Sequence, residues 1–214
     1  VIRRQGMGYH EELTGQQEEQ GFLSATAVRS QIWKGNFTGL SEGAVELLKK
    51  APCYIRSEDF WQMCSFAIRD SWDGLEEIKD LSEELANSMR KNWYEAVSLD
   101  DFANRCKTKN MTMARVKRCV FQILLGIEKE SGGEDSFPYM RLLGMSRRAA
   151  ENLKYVKKTK VLGRLARDME ELDDRGREKL KQDIKAADLY RTVAMAVSGQ
   201  RLPEEFRQQV ILVD

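Results

Sequence analysis

Thr112-Met113-Ala114-Arg115-Val116-Lys117-Arg118-Cys119-Val120-Phe121-Gln122-Ile123-Leu124-Leu125-Gly126-Ile127 mixes apolar and basic side chains at a helical period. Val116, Cys119, Val120, Ile123, Leu124 and Ile127 recur at short helical separations, which places them on one stripe. Thr112 is a hydroxyl N-cap, and Arg115, Lys117, Arg118 and Gln122 fall mostly off the stripe. The spacing predicts an amphipathic helix with one face for a core and a basic face turned outward. Its cations also interrupt the longest apolar pattern in the chain, so no bilayer span is expected.

Helix signals continue on both sides. Upstream, Ser98 with Asp101 resembles a capping box and starts a helix through Phe102 and Cys106. Leu75, Ile78, Leu81, Leu85 and Met89 predict one helix with a single buried face over Leu75 to Trp93. Glu58 to Asp70 spaces Phe60, Trp61, Cys64, Phe66, Ala67 and Ile68 as helical core residues. Ser41 to Lys50 is a helix ended by Pro52, and a shorter one runs from Ser24-Ala25-Thr26 to Gly35-Asn36. Residues 1–22, rich in Gly and Gln, read as loop. Downstream, Ser131-Gly132-Gly133 is a break and Phe137 to Leu143 a short extended segment. Ser146 to Lys158 has helical spacing, Asp174 to Val197 is a long helix ended by Gly199, and Val210 to Val213 is β-prone. The expected fold class is mainly α.

With 214 residues and 42% apolar side chains, the chain is globular and not disordered throughout. It starts at Val1 without a basic or apolar leader, so an N-terminal part is expected to be missing. Cys53, Cys64, Cys106 and Cys119 form no C-x-x-C and His10 is the only histidine, which supports neither a zinc site nor a disulfide framework. Reduced, mostly buried cysteines in a cytoplasmic protein are expected.

Near-neutral net charge hides segregation. Residues 1–106 carry 12 basic and 18 acidic side chains, residues 107–167 carry 15 and 5, and residues 168–214 carry 8 and 11. The middle block, at +10, reads as a polyanion-binding surface. A second sharp feature is Ser24-Ala25-Thr26-Ala27-Val28-Arg29, where a helix start offers backbone N–H groups, two hydroxyls and a guanidinium to one anion. An ordinary N-cap with a surface arginine fits the same residues, and spacing alone leaves both readings open.

Arg3-Arg4-Gln5-Gly6-Met7-Gly8-Tyr9-His10, followed by Ser24 to Arg29, resembles the K-R-x-G-x-G-Y-H and S-A-T-A-[IV]-R segments of the tRNA(Met) cytidine acetate ligase family. Glu58-Asp59-Phe60, Gly74-Leu75-Glu76, Thr108 to Arg118, Pro138 to Gly144 and Asp183 to Tyr190 look like further landmarks of that family, in the same order. The resemblance implies a nucleotidyltransferase of the HIGH superfamily that uses ATP, with Mg as its counter-ion, to activate acetate as acetyl-adenylate. It then acylates the wobble cytidine of elongator tRNA(Met) to N4-acetylcytidine.

By matching position, the resemblance implies ATP contacts from Arg4, Ser24, Thr26 and Arg29, and the basic block, read in its light, offers tRNA contacts from Lys107, Lys109, Arg115, Lys117, Arg118, Arg141, Arg147 and Arg148. The family's H-x-G-H turn is not found in this sequence. The expectation is therefore a C-terminal portion: residues 1–35 as the tail of a Rossmann-like nucleotidyltransferase domain, and residues 36–214 as a multi-helix tRNA-binding domain, inactive alone. Asn110-Met111 stands where the family often has Arg-Tyr, so phosphate contacts are expected to outlast base stacking there. His10 reads as a structural hydrogen-bond partner before a general base. The competing reading is a helical protein-interaction module whose basic face docks an acidic partner.

Overall fold

Ser41 shows how the local signals become structure: its Oγ accepts the Ala44 N–H at 3.4 Å and starts α2, Glu42–Lys50. The computed structural model describes residues 25–129 and 137–213. The chain divides between Tyr54 and Ile55 into two compact units. In the first, α1 spans Ala25–Trp33 and ends before Gly35, whose φ of 75° is a conformation that other residues adopt at a cost. The Asn36 amide then donates to Gln31 Oε1 at 2.9 Å, while Asn36 Oδ1 accepts from the Thr38 N–H and hydroxyl. Beyond α2, the Tyr54 hydroxyl donates to the Leu48 carbonyl at 2.8 Å. The expected end of α1 at Gly35-Asn36 and both expected ends of α2 match the structure. Ser24, His10, the loop over residues 1–22 and the Ser131-Gly132-Gly133 break lie outside the described residues.

The second unit is built on a helical core. Here α3 (Trp61–Asp70), α4 (Glu83–Asn92), α5 (Leu99–Cys106) and α6 (Met113–Leu125) enclose Cys64, Ile68, Leu85, Met89, Phe102, Val116, Val120 and their neighbours. Ser98 Oγ accepts the Asp101 N–H at 3.0 Å and Thr112 Oγ1 the Arg115 N–H at 3.3 Å, so both expected N-caps form. The Asp101 carboxylate reaches back to the Val97 N–H at 3.1 Å, one residue beyond the usual capping-box partner. Gly126, with φ 68°, closes α6, and Lys185 Nζ donates to the Leu125 carbonyl at 2.9 Å beside it. A cation at a helix C-terminus complements its dipole.

The single helix expected over Leu75 to Trp93 does not form, although every residue chosen for its buried face is buried. A 3-10 turn, Trp72–Glu77, gives way to an extended Ile78, Asp80 takes φ 60°, and Ser82 caps α4 afresh through the Leu85 N–H. The Lys79 N–H donates to the Ile127 carbonyl at 2.9 Å, pinning this break against the end of α6. Here a tertiary hydrogen bond and a new N-cap override helical periodicity.

The expectation of a mainly α body also needs correction, because parallel strand pairs complete the fold. Strand β1 (Tyr139–Arg141) pairs with β3 (Lys160–Leu162), and β2 (Gly144–Ser146) pairs with β4 (Ile211–Val213). The helix expected over Ser146 to Lys158 shrinks to α7, Arg147–Ala150, and a 3-10 turn, Leu153–Tyr155. After β3, α8 (Leu165–Asp168) leads through Leu172 to α9 (Asp174–Ser198), capped by Asp173 and ended at Gly199. Leu162, Leu165, Leu172, Leu180 and Ile184 form a second, smaller core. Helix α9 joins the two, giving Leu180 and Ile184 to the small core and Val193 to the large one.

Candidate nucleic-acid interface

The cations predicted to bind tRNA lie on several elements. Lys107 and Lys109 belong to the tight connection between α5 and α6, where Thr108 and Met111 exchange backbone hydrogen bonds at 3.1 and 3.2 Å. Met111 is buried under this turn while both lysines are exposed. Met111 is thus committed to the core under the turn.

Three cations of α6 differ in fate. Arg115 Nη2 donates to the Asp80 carbonyl at 3.4 Å, and Arg118 Nε lies 3.7 Å from Asp80 Oδ2. Gln122 Nε2 donates to the same carboxylate at 3.3 Å. The left-handed Asp80 thus ties α6 to the break before α4. Lys117 does not face outward as its position off the stripe predicts. Its Nζ pairs with Asp100 and lies 3.9 Å from Glu58 Oε1, while Glu58 Oε2 accepts the Leu99 N–H at 2.9 Å. Burial, then the Asp100 charge, raises the Glu58 carboxyl above its ordinary pKa, against the opposing pull of the Leu99 N–H and Lys117.

Arg141, on β1, pairs with Glu205 of the C-terminal segment. Arg147 and Arg148 are exposed on α7. The structure therefore gathers Arg115 and Arg118 around Asp80 and sets Lys107 and Lys109 on the turn before them. It puts Arg141, Arg147 and Arg148 on the strand-bearing part, and it engages Lys117 and Arg141 with carboxylates. On the nucleotide side, Thr26 and Arg29 are exposed on the first turns of α1, three residues apart. Arg4 and Ser24 lie outside the described residues.

Several motifs meet as structural junctions. The Tyr139 hydroxyl donates to Asp183 Oδ2 at 2.7 Å, joining two of the segments quoted above, and burial is the largest cause raising its pKa. Phe60 packs edge-on to Phe121, with centroids 5.5 Å apart, and against Tyr190 at 6.5 Å. Arg90 donates to both Glu76 oxygens and twice to the Trp72 carbonyl. The Arg90 hydrogen bond holds the Glu76 carboxyl below the usual range.

A cleft of about 1100 Å³ opens between the β1–β2 connection, α8 and the C-terminal segment. Arg164, Arg167, Phe206 and Arg207 line it, and none was predicted as a site residue. The charge count signalled Arg164 and Arg167, which lie inside the +10 block. No comparable signal marked Phe206 and Arg207, which reach the cleft only through the β2·β4 pairing. Among the described residues no group of three His, Cys, Asp or Glu side chains is placed to hold a metal, and no helix is long and apolar enough to cross a membrane.

The HIGH Nucleotidyl Transferase family model matches residues 1–205. The chain belongs to this nucleotidyl transferase family. Because the match runs through α9, it corrects the expected fold class: the helices and the parallel strand pairs alike fall within the nucleotidyl transferase match, and the match does not support a C-terminal portion only. A tRNA(Met) cytidine acetate ligase of Clostridium perfringens is 29% identical over 196 residues, covering 89% of this chain and 47% of the relative. The chain thus spans about half the length of that curated relative. The fold is similar to that of a crystal structure of Thermotoga maritima TmcAL (apo, form I), with TM-score 0.78, 23% identity, and coverage of 92% of this chain and 54% of that one. It is equally similar to TmcAL bound with alpha-thio ATP (Form II), with TM-score 0.79, 22% identity, and coverage of 90% and 53%.

Proposed function

We propose that this family member serves an ATP-dependent ligase that makes N4-acetylcytidine at the wobble position of elongator tRNA(Met), in the cytoplasm. Acetate attacks the α-phosphorus of ATP, forming acetyl-adenylate and releasing pyrophosphate. The cytidine amine then attacks the acetyl carbonyl, AMP leaves, and the nitrogen loses a proton. In this reading residues 1–35 serve the nucleotide and residues 36–214 serve the RNA. Thr26 and Arg29, with Arg4 and Ser24, would hold the phosphates of magnesium-bound ATP and offset the charge on the leaving pyrophosphate. Exposure of Thr26 and Arg29 on one face of α1 fits that role.

The observation that carries the RNA half is the exposed Lys107–Lys109 turn, held by buried Met111 and followed by the Arg115 and Arg118 edge of α6. Two cations on an anchored turn make phosphate contacts with little ordering cost. The test is binding of a tRNA(Met) transcript across a salt series. Affinity should fall steeply as salt rises, since each neutralised phosphate releases counterions. Failure to bind tRNA at low salt, or equal binding to an acidic protein of matched charge, would favour a protein-docking role. Given ATP and acetate, the chain alone is expected to release no pyrophosphate.

A further inference from the structure

The cleft beside α8 has no part in the reading above. Its floor is apolar, with Leu142, Met145, Val161 and Leu212, and among the described residues no carboxylate lines it. Exposed guanidinium groups come from two sides: Arg164 and Arg167 at α8, and Arg207 from the C-terminal segment. Arg167 lies 3.6 Å from Asp168 and Arg207 3.5 Å from Glu204, each with its side chain more than 70% exposed. The Arg207–Glu204 pair is exposed on both sides and contributes little, while Asp168, only 12% exposed, is held mainly by the Gly163 and Arg164 N–H groups and leaves the Arg167 head in solvent. The Arg164 guanidinium has no protein partner among the described residues.

The walls are held by strong local contacts. Asp168 Oδ2 accepts the N–H groups of Gly163 and Arg164, both at 2.8 Å, which fixes the backbone carrying Arg164. Arg191 Nε donates to the Leu202 carbonyl at 3.0 Å, Arg141 pairs with Glu205, and the Ile211 N–H donates to the Leu143 carbonyl. Gly144 allows a close approach at this seam, since a Cβ there would lie 3.2 Å from the Ile211 carbonyl oxygen. Phe206 is thereby presented to the cleft while still 42% exposed.

We propose that this cleft seats a single-stranded segment of RNA, with an unstacked base against Phe206 and the apolar floor and its flanking phosphates on Arg164, Arg167 and Arg207. Charge complementarity selects a polyanion, and the aromatic beside an apolar floor selects one whose bases are exposed. A duplex keeps its bases inside and gains only the arginine contacts. The proposal rests on the reading that this protein docks tRNA and adds where an unpaired stretch of it would lie.

The test is fluorescence anisotropy of the full chain with an oligouridine of about ten nucleotides and with an RNA duplex of equal charge. Phe206→Ala should weaken oligouridine binding about tenfold or more and leave the duplex nearly unchanged, whereas Phe206→Tyr should restore it. Arg164→Ala with Arg167→Ala should lower the salt slope for oligouridine by about 1.4, from about 0.7 per lost contact. Phe206 and both arginines are at the surface, and matching thermal melts confirm that folding is unchanged. Oligouridine binding insensitive to all these changes but sensitive to Lys107→Ala with Lys109→Ala overturns the cleft and leaves RNA docking standing. Absence of RNA binding overturns both. Tight ATP binding in the cleft that excludes oligouridine overturns the RNA assignment.

Discussion

Lys117→Ala and the pair Lys107→Ala with Lys109→Ala should separate stability from RNA binding, although all three lysines lie in the same basic block. Lys117 is only 25% exposed, its ammonium pairs with Asp100, and Glu58 Oε1, 3.9 Å away, has no hydrogen-bond partner among the described residues. Removing the ammonium leaves Glu58 and Asp100 facing each other without a counter-charge. The cost lies between that of an exposed pair, about 0–1 kcal/mol, and a broken buried one, about 3–5 kcal/mol. Partial exposure and the surviving Leu99 N–H bond place it near about 1–2 kcal/mol. Urea denaturation should show that loss, while the salt slope of tRNA binding stays at its wild-type value. The double lysine variant should do the reverse, with a slope lower by about 1.8 if both contact duplex phosphates and unfolding changed by less than about 0.5 kcal/mol. A Lys117→Ala protein of unchanged stability that binds tRNA with a reduced slope would refute the assignment of this lysine to the Glu58 and Asp100 carboxylates.

Three further outcomes follow from the same contacts. A carboxyl with a raised native pKa holds its proton more tightly when folded, so the Glu58 contribution is favourable below its ordinary value of 4.5 and is lost as pH rises through the native value. Glu58→Gln should therefore flatten the fall of the urea midpoint on raising the pH from 4.5 to neutrality, and an unaltered profile would exclude Glu58 as its source. Gly176→Ala should destabilise by about 1 kcal/mol or more despite a helix-propensity gain of about 1 kcal/mol. The added Cβ would lie 2.9 Å from the capping Asp173 oxygen and 3.2 Å from Leu172 Cβ, and thermal melting checks the sign. In the native protein Cys53, half-buried, should react with an aromatic disulfide reagent before the other three thiols. Burial pushes Cys64 up to about 12 and Cys106 up to about 11 and also raises Cys119; fast labelling of all four before unfolding would contradict that core.

Much of the large core was legible in the chain. Phe60, Cys64, Ile68, Leu75, Leu85, Met89, Val116 and Ile123 were expected inside from periodicity and are buried. Phe66, 70% exposed, was not distinguishable from them, because spacing gives the face of a helix and not how far a neighbour covers it. The resemblance carried the nucleotidyl transferase family correctly, yet the mainly α fold class expected beside it failed. Helices announce themselves locally, whereas three-residue strands carry too little pattern to mark a parallel pair.

Lys117 shows the same limit at the candidate site. Charge counting placed it in a basic face, and the fold turned it onto Glu58 and Asp100, which lie far upstream in the chain.

The sequence alone determined the helix starts at Ser41, Ser98 and Thr112, the helix stops at Gly35 and Gly199, and the concentration of cations in residues 107–167. Those features depend on backbone chemistry within a few residues. Only the tertiary structure decided which cations face solvent, where Asp80 breaks the run before α4, and that β4 returns to β2 to wall the cleft. Such outcomes depend on contacts between residues tens of positions apart, whose pairing is selected by burial of the whole core and not by any local preference.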